Sequence, residues 1–142
     1  MLVDANLLLF AVDASSPFHR ASSDWLVAQL NGLRPVGFPW QSLLAFVRIA
    51  TNPRATARPL TPDQAWTHVE EWLRADVGWL PVPTERHAGV LGALVRRHQL
   101  RGNMISDAAL AALAIEHGLI VCSADTDFAR FDEITWQNPL AA

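Results

Sequence analysis

Short apolar runs alternate with longer segments of helical periodicity along the whole chain. The apolar runs that predict strands lie at 1–3, 36–38, 77–82, 119–122 and 134–136. The segments whose apolar spacing predicts helices lie at 7–11, 16–31, 41–51, 61–74, 84–100 and 107–117. Strands that alternate with helices in this way predict an α/β fold, in which a mostly parallel sheet is covered on both faces.

Helix-capping residues set the ends of several predicted helices. Ser16-Pro17 and Thr61-Pro62 each combine an N-cap residue with a proline that suits the first helical turn. Ser106 is the predicted cap of the alanine-rich helix 107–117, and Gly118 is the residue that ends it.

Length and composition favour one domain that spans 1–142. The chain has 142 residues with 51% hydrophobic content, which is enough apolar surface to fold without disulfides. The single cysteine, Cys122, lies in an apolar run and is expected to be a buried thiol, which fits a reducing cytoplasm. No secretory leader and no apolar run of about 20 residues is evident, so we expect a cytoplasmic protein without a membrane span.

The charge pattern narrows the possible chemistry. A net charge of −3 gives no overall attraction to nucleic acid, so any grip on phosphate must be local. All 11 basic residues are arginines, whose planar forks suit phosphate contacts. Because the chain has no lysine, it lacks the catalytic lysine on which phosphoacceptor receiver domains and aspartate-nucleophile phosphatases rely.

Three aspartates are predicted to converge at one edge of the sheet. Asp4 and Asp125 each follow an apolar strand, and Asp107 lies just inside a helix that leads into the second of these strands. Three carboxylates without a nearby cationic partner would repel one another unless a divalent cation lay between them. Each residue also has a simpler explanation, since Asp4 can cap a helix, Asp107 can pair with a helix dipole, and Asp125 and Asp127 can be solvated loop residues. Their joint placement favours the metal site.

Four stretches of the chain resemble PIN-domain ribonucleases of the VapC toxin type. They are Leu2-Val-Asp4-Ala-Asn6, Phe46-Val-Arg48-Ile-Ala-Thr51-Asn-Pro-Arg54, the helix from Ser106 to Gly118, and Ser123-Ala-Asp125-Thr-Asp127-Phe128. Their order and spacing span nearly the whole chain, and Thr-Asn-Pro-Arg is typical of a subgroup found in actinobacterial toxin–antitoxin modules.

The resemblance implies a three-layer α/β/α sandwich and a toxin that cleaves RNA until a cognate antitoxin occupies its acidic pocket. That pocket would bind Mg²⁺ or Mn²⁺. The residues that match the family's metal carboxylates are Asp4, Asp107 and Asp125. Asn6 and Ser123 match supporting positions, and Asp127 is expected to contribute through water. The cleavage would use a metal-activated water and leave a 5′-phosphate and a 3′-hydroxyl.

One position departs from the family pattern. Many relatives have a glutamate where this chain has Ala45, so the pocket lacks one acid. Two functions therefore remain open: an active metal-dependent endoribonuclease, or a catalytically degenerate PIN module that binds an antitoxin or RNA without cleavage.

The sequence also predicts residues that contact the substrate or a partner chain. The arginines expected to grip RNA, a tRNA or an rRNA loop, are Arg48, Arg54 and Arg101. Among the tryptophans, Trp25, Trp66 and Trp72 are expected in the core, and Trp40 is the one candidate for base stacking. The hydrophobic content and the resemblance predict a homodimer.

Overall fold

The computed structural model describes residues 1–141, so the last residue of the expected 1–142 domain lies outside the described part. The helices are α1 (Ala5–Val12), α2 (His19–Leu30), α3 (Trp40–Ala50), α4 (Pro62–Arg74), α5 (His87–His98) and α6 (Met104–His117). The strands are β1 (Leu2–Val3), β2 (Val36–Gly37), β3 (Gly78–Trp79), β4 (Val121–Cys122) and β5 (Trp136–Gln137). A 3-10 helix covers Thr126–Arg130.

The five strands form one parallel sheet in the order β3-β2-β1-β4-β5. In the centre, Leu2 pairs with Val121 and Val3 with Cys122. The chain moves outward from β1 to β3 and then returns to place β4 on the other side of β1. The strand order therefore reverses between β1 and β4, and the carboxyl ends of these two strands border the crevice where α/β proteins bind their ligands.

Hydrophobic clusters on both faces of the sheet confirm the predicted three layers. Successive residues of β1 point to opposite faces, so Leu2 packs with α5 and α6 while Val3 packs with α1 to α4. The same alternation in β4 places Val121 in the cluster that contains Leu2 and Cys122 in the cluster that contains Val3. The Cys122 thiol is buried there, as expected.

Helix α4 agrees with its prediction because its start is encoded locally. Thr61 accepts a hydrogen bond from the Gln64 backbone at 3.1 Å, and the Gln64 side chain accepts one from the Thr61 backbone at 3.0 Å. This capping box satisfies two N–H groups that a helix start leaves free. Gly118 likewise ends α6 in the left-handed conformation, at φ 66°.

Two predicted caps are wrong. Ser16 does not begin α2: its side chain accepts a hydrogen bond from Phe18 N in a preceding turn, and the helix starts at His19. Ser106 does not cap α6, because a tight turn at Gly102, with φ 59°, lets the helix begin at Met104. Ser106 and Asp107 therefore both lie in the first turn of α6.

The predicted strand 77–82 and the predicted helix 84–100 are both shorter in the structure. Strand β3 ends before Pro81, which has no N–H to give to a ladder. Helix α5 begins three residues late because Thr84 instead binds the buried Glu116, donating to Oε1 from its backbone at 2.8 Å and from its hydroxyl at 2.6 Å. No helix among residues 1–141 is long and apolar enough to cross a membrane.

Candidate metal centre

Asp4 and Asp125 leave the carboxyl ends of the two neighbouring strands at the crevice. Asp4 follows β1 and caps α1, with Oδ1 accepting a hydrogen bond from Ala5 N at 2.8 Å. Asp125 follows β4 and caps the 3-10 helix, with Oδ1 accepting from Asp127 N at 2.9 Å. Each of these two aspartates therefore caps a helix and also lies at the shared edge of the sheet. The capping hydrogen bond fixes the direction in which its carboxylate points.

A group of three carboxylates lies at this edge of the sheet. One oxygen from each of Asp107, Asp125 and Asp127 lies within 4.8 Å of the others. Asp107 reaches the group from the first turn of α6, while Asp125 caps the 3-10 helix after β4 and Asp127 lies in that helix. We call these residues the acidic group; Asp4 is not one of its three members but lies beside it, connected through Ser123.

Ser123 connects Asp4 to the acidic group. Its buried hydroxyl donates to Asp4 Oδ2 at 2.7 Å and accepts from Asp125 N at 3.0 Å. The Asn6 amide donates to the same hydroxyl at 3.0 Å, and Asn6 Oδ1 accepts from Ala124 N at 3.3 Å. The two predicted supporting residues thus hold Asp4 and the loop after β4 in a fixed arrangement.

The electrostatics of the site penalise negative charge. Burial raises the pKa of Asp4, although hydrogen bonds from Ser123 and Ala5 oppose the rise. Burial, followed by the charges of Asp125, Asp4 and Asp127, raises the pKa of Asp107 to about 6. Several carboxylate oxygens whose charges repel form the donor set that hard divalent cations prefer, so these residues fit such an ion.

A cleft of about 630 Å³ opens beside Asp4 and Asp107. Gln41, at the start of α3, closes one part of its wall by donating to Ser106 O at 2.7 Å. Ala45 also lines this cleft, so the position at which the family resemblance implies a glutamate faces the site and carries a methyl group instead.

Two of the predicted RNA-binding arginines lie outside the cleft wall. Arg48 lines the cleft from α3. Arg54 is exposed in the turn after α3, and Arg101 is exposed just before α6. Sequence reasoning missed Arg130, whose Nη2 lies 3.6 Å from Asp127 Oδ1. The spacing of three residues, which brings two side chains together wherever the backbone is helical, is the signal that would have indicated this pair.

The tryptophans differ from prediction at one position. Trp72 is buried and Trp25 is partly buried, as expected, but Trp66 is 42% exposed. Its ring lies nearly parallel to that of Trp40 on the protein surface, with 6.4 Å between the ring centroids. Trp40, the candidate for base stacking, is itself 43% exposed.

Comparisons with known proteins match the chain to a known domain family over most of its length. Residues 1–134 match the model of the PIN domain. Ribonuclease VapC37 of Mycobacterium tuberculosis is 44% identical over 140 residues, which cover 99% of this chain and 97% of that protein. Ribonuclease VapC33 of the same species is 36% identical and covers 99% of this chain and 98% of that protein.

Solved structures show the same fold at low sequence identity. Mycobacterium tuberculosis VapC20, described as a sarcin–ricin loop cleaving toxin, aligns with a TM-score of 0.68 at 17% identity and covers 94% of this chain and 98% of that one. A chain of VapBC2 from Rickettsia felis, solved with a DNA fragment from its promoter, aligns with a TM-score of 0.68 at 12% identity and covers 96% of each chain.

Proposed function

The chain belongs to the PIN-domain family, and from this premise we propose that it is a metal-dependent endoribonuclease, the toxin of a type II toxin–antitoxin system. The observation that carries the proposal is the acidic group with Asp4 beside it, gathered at the carboxyl edge of the sheet, where the pKa of Asp107 is raised. Relatives named as ribonucleases over nearly the full chain support the same activity.

We assign the metal-holding role to the four aspartates of the site, with Mg²⁺ or Mn²⁺ as the ion. The residues are Asp4, Asp107, Asp125 and Asp127. A cation held by these residues would lower the pKa of a bound water and would supply positive charge to offset the negative charge of the phosphate. Ser123 and Asn6 keep Asp4 and the loop after β4 in position, so the carboxylates are arranged before substrate arrives. The products would carry a 5′-phosphate and a 3′-hydroxyl.

RNA is the substrate in this proposal, and arginines provide its phosphate contacts. Arg48 lies in the cleft wall and would contact phosphates next to the scissile bond. Arg54 and Arg101 lie further out and would contact flanking nucleotides. We expect the substrate to be a tRNA or an rRNA loop; cleavage of the sarcin–ricin loop is what is stated for the structural neighbour VapC20.

A protein partner is part of the same proposal. Several structural neighbours are toxin–antitoxin complexes, including those from Rickettsia felis and nontypeable Haemophilus influenzae, so we propose a cognate antitoxin for this chain. The single buried Cys122 suits the reducing cytoplasm in which such a pair would act.

We also propose that the free protein is a homodimer. Trp40 and Leu44, one turn apart on α3, and Trp66, which packs against Trp40, are each more than two-fifths exposed. Exposed apolar groups of this size on one face are typical of protein interfaces. Light scattering at about 20 μM should give the mass of two chains, and a monomer at that concentration would contradict the proposal.

A degenerate binding module remains the second candidate because of Ala45, which lines the cleft without supplying an acid. An RNA-cleavage assay with Mn²⁺ separates the two functions. We expect the wild type to cleave, Asp125→Asn to lose cleavage, and the control Asp63→Asn, which changes a first-turn aspartate of α4, to cleave normally. Intact RNA with the wild type would favour the degenerate module.

A further inference from the structure

Arg130 lies at the acidic group and connects the two segments that carry it. Its Nε donates to Asp127 O at 3.1 Å, and its Nη2 lies 3.6 Å from Asp127 Oδ1. Its Nη1 also contacts the sulfur of Met104, at the first position of α6. The guanidinium therefore lies between the 3-10 helix and the helix start that presents Asp107.

The charge of Arg130 acts on the acidic group. Its Nη2 lies 3.6 Å from a carboxylate oxygen of Asp127, and oxygens of Asp107 and Asp125 lie within 4.8 Å of an oxygen of Asp127. At such separations a positive charge offsets the repulsion among the carboxylates. The other ion pairs within residues 1–141, such as Arg74 with Glu70 and Arg97 with Asp132, do not involve the acidic group. Among the ion pairs of residues 1–141, the pair of Arg130 with Asp127 is thus the one that includes a member of the acidic group.

The contact with Asp127 is loose enough to be exchanged. A distance of 3.6 Å exceeds that of a charge-assisted hydrogen bond, about 2.7–2.9 Å, and the Arg130 side chain is 32% exposed. A divalent cation on the acidic group would take over the charge of Asp127. The guanidinium would then face a site whose next ligand is the RNA phosphate, and its planar fork matches two phosphate oxygens.

We propose that Arg130 is an RNA-binding residue of this site, which offsets the carboxylate charges when no cation is bound and contacts a substrate phosphate when one is. The inference rests on the proposed ribonuclease function. It assigns the phosphate contact nearest the acids to Arg130 in addition to Arg48, which approaches from α3.

The test compares Arg130→Ala and Arg130→Lys with the control Arg74→Ala, which removes an exposed helical ion pair at 2.9 Å on α4. Three quantities are measured: the melting temperature in EDTA, the Kd for Mn²⁺ by calorimetry, and the affinity for a fluorescent phosphorothioate RNA that resists hydrolysis. The RNA affinity is measured with Mg²⁺ over a range of salt concentrations, because Mn²⁺ coordinates sulfur and can restore cleavage of a phosphorothioate.

We expect Arg130→Ala to melt lower than wild type in EDTA and to bind Mn²⁺ as tightly or up to about fivefold more tightly, because a competing positive charge is gone. Its RNA affinity should fall about tenfold, and the slope of log affinity against log salt should decrease by about 0.7. Arg130→Lys should restore the slope but not the full affinity, since lysine keeps the charge without the fork. Arg74→Ala should match wild type in Mn²⁺ and RNA binding.

Two results would overturn the inference. An unchanged RNA affinity and salt slope in Arg130→Ala would show that Arg130 does not contact a substrate phosphate. A tenfold loss of Mn²⁺ affinity would show instead that Arg130 only holds Asp127 in place. Failure of the proposed function is a separate result, since it would appear as a wild type that leaves ordinary RNA intact, whereas RNA binding still reports on Arg130.

Discussion

Replacing Asp107 by asparagine removes a carboxylate charge that burial and the neighbouring aspartates make unfavourable. The folded protein raises the pKa of this group from 3.8 to about 6, through burial first and then through Asp125, Asp4 and Asp127. At about 1.36 kcal/mol per pKa unit, a fully buried group would lose about 3 kcal/mol on ionisation. Asp107 is partly solvated, so solvent screening reduces this to about 1–2 kcal/mol. Without cation, Asp107→Asn should be more stable than wild type by that amount.

The sign of the pH dependence follows from the raised pKa. The folded state binds the proton of Asp107 more tightly than the unfolded state does, so wild-type stability falls as pH rises from 3.8 to about 6 and stays low above that range. Asparagine does not ionise. The variant should therefore melt about 3–8 °C above wild type in EDTA at about pH 7.5, and this difference should vanish near about pH 4.

Metal reverses the order of the two proteins. With Mn²⁺ at a hundredfold excess over its Kd, the wild type should gain about 2.7 kcal/mol, and Asp107→Asn much less. The control is Asp63→Asn, the first-turn aspartate of α4, which should cost about 0.3–1 kcal/mol through the helix dipole whether or not metal is present. Equal metal-induced shifts in wild type and Asp107→Asn would refute the assignment of Asp107 as a ligand.

Four further substitutions test other parts of the account. Arg48→Ala should weaken RNA cleavage but leave the calorimetric Kd for Mn²⁺ nearly unchanged, because arginine does not ligate cations. Ser123→Ala should cost about 1–3 kcal/mol in urea unfolding and weaken Mn²⁺ binding about 10–100-fold, whereas Ser22→Ala, which removes another buried serine donor, should lose similar stability without any change in Mn²⁺ affinity. Glu116→Gln should lose about 1–3 kcal/mol near neutral pH. Burial raises the pKa of the Glu116 carboxyl, but its hydrogen bonds with Thr84 and His87 outweigh burial, so the pKa lies below its usual 4.5. The difference in unfolding free energy between Glu116→Gln and wild type should therefore disappear as pH falls below 4.5. Trp40→Ser should shift light scattering toward the monomer, whereas a weaker RNA affinity with an unchanged mass would assign that ring to base stacking instead.

Fold and family could be predicted because their signals are local or periodic. The strand and helix alternation predicts the parallel sheet, and the capping box at Thr61 and Gln64 defines α4 within a single turn. The resemblance to VapC-type PIN ribonucleases is confirmed by the domain match and by relatives at 36–44% identity. Asp4 and Asp125 could be placed at one edge because each follows a strand of the same parallel sheet.

The remaining features depend on contacts between distant parts of the chain. Thr84 binds Glu116, 32 residues away, and so delays α5 in a way that its own sequence does not reveal. Trp66 follows helical core spacing, yet it packs on an exposed ring from another helix. Arg130 meets Met104 across 26 residues, and its effect on Asp107 depends on how the 3-10 helix approaches α6. No local pattern encodes such placements.

Whether RNA cleavage depends on a bound divalent cation can be measured with metal-stripped protein. The protein is treated with EDTA, exchanged into chelator-free buffer, and incubated with end-labelled RNA while Mn²⁺ is added stepwise. We expect intact RNA without metal, cleavage that rises and saturates with Mn²⁺, and products that carry a 5′-phosphate. Cleavage that persists in excess EDTA, or RNA that stays intact at saturating Mn²⁺, would contradict this expectation.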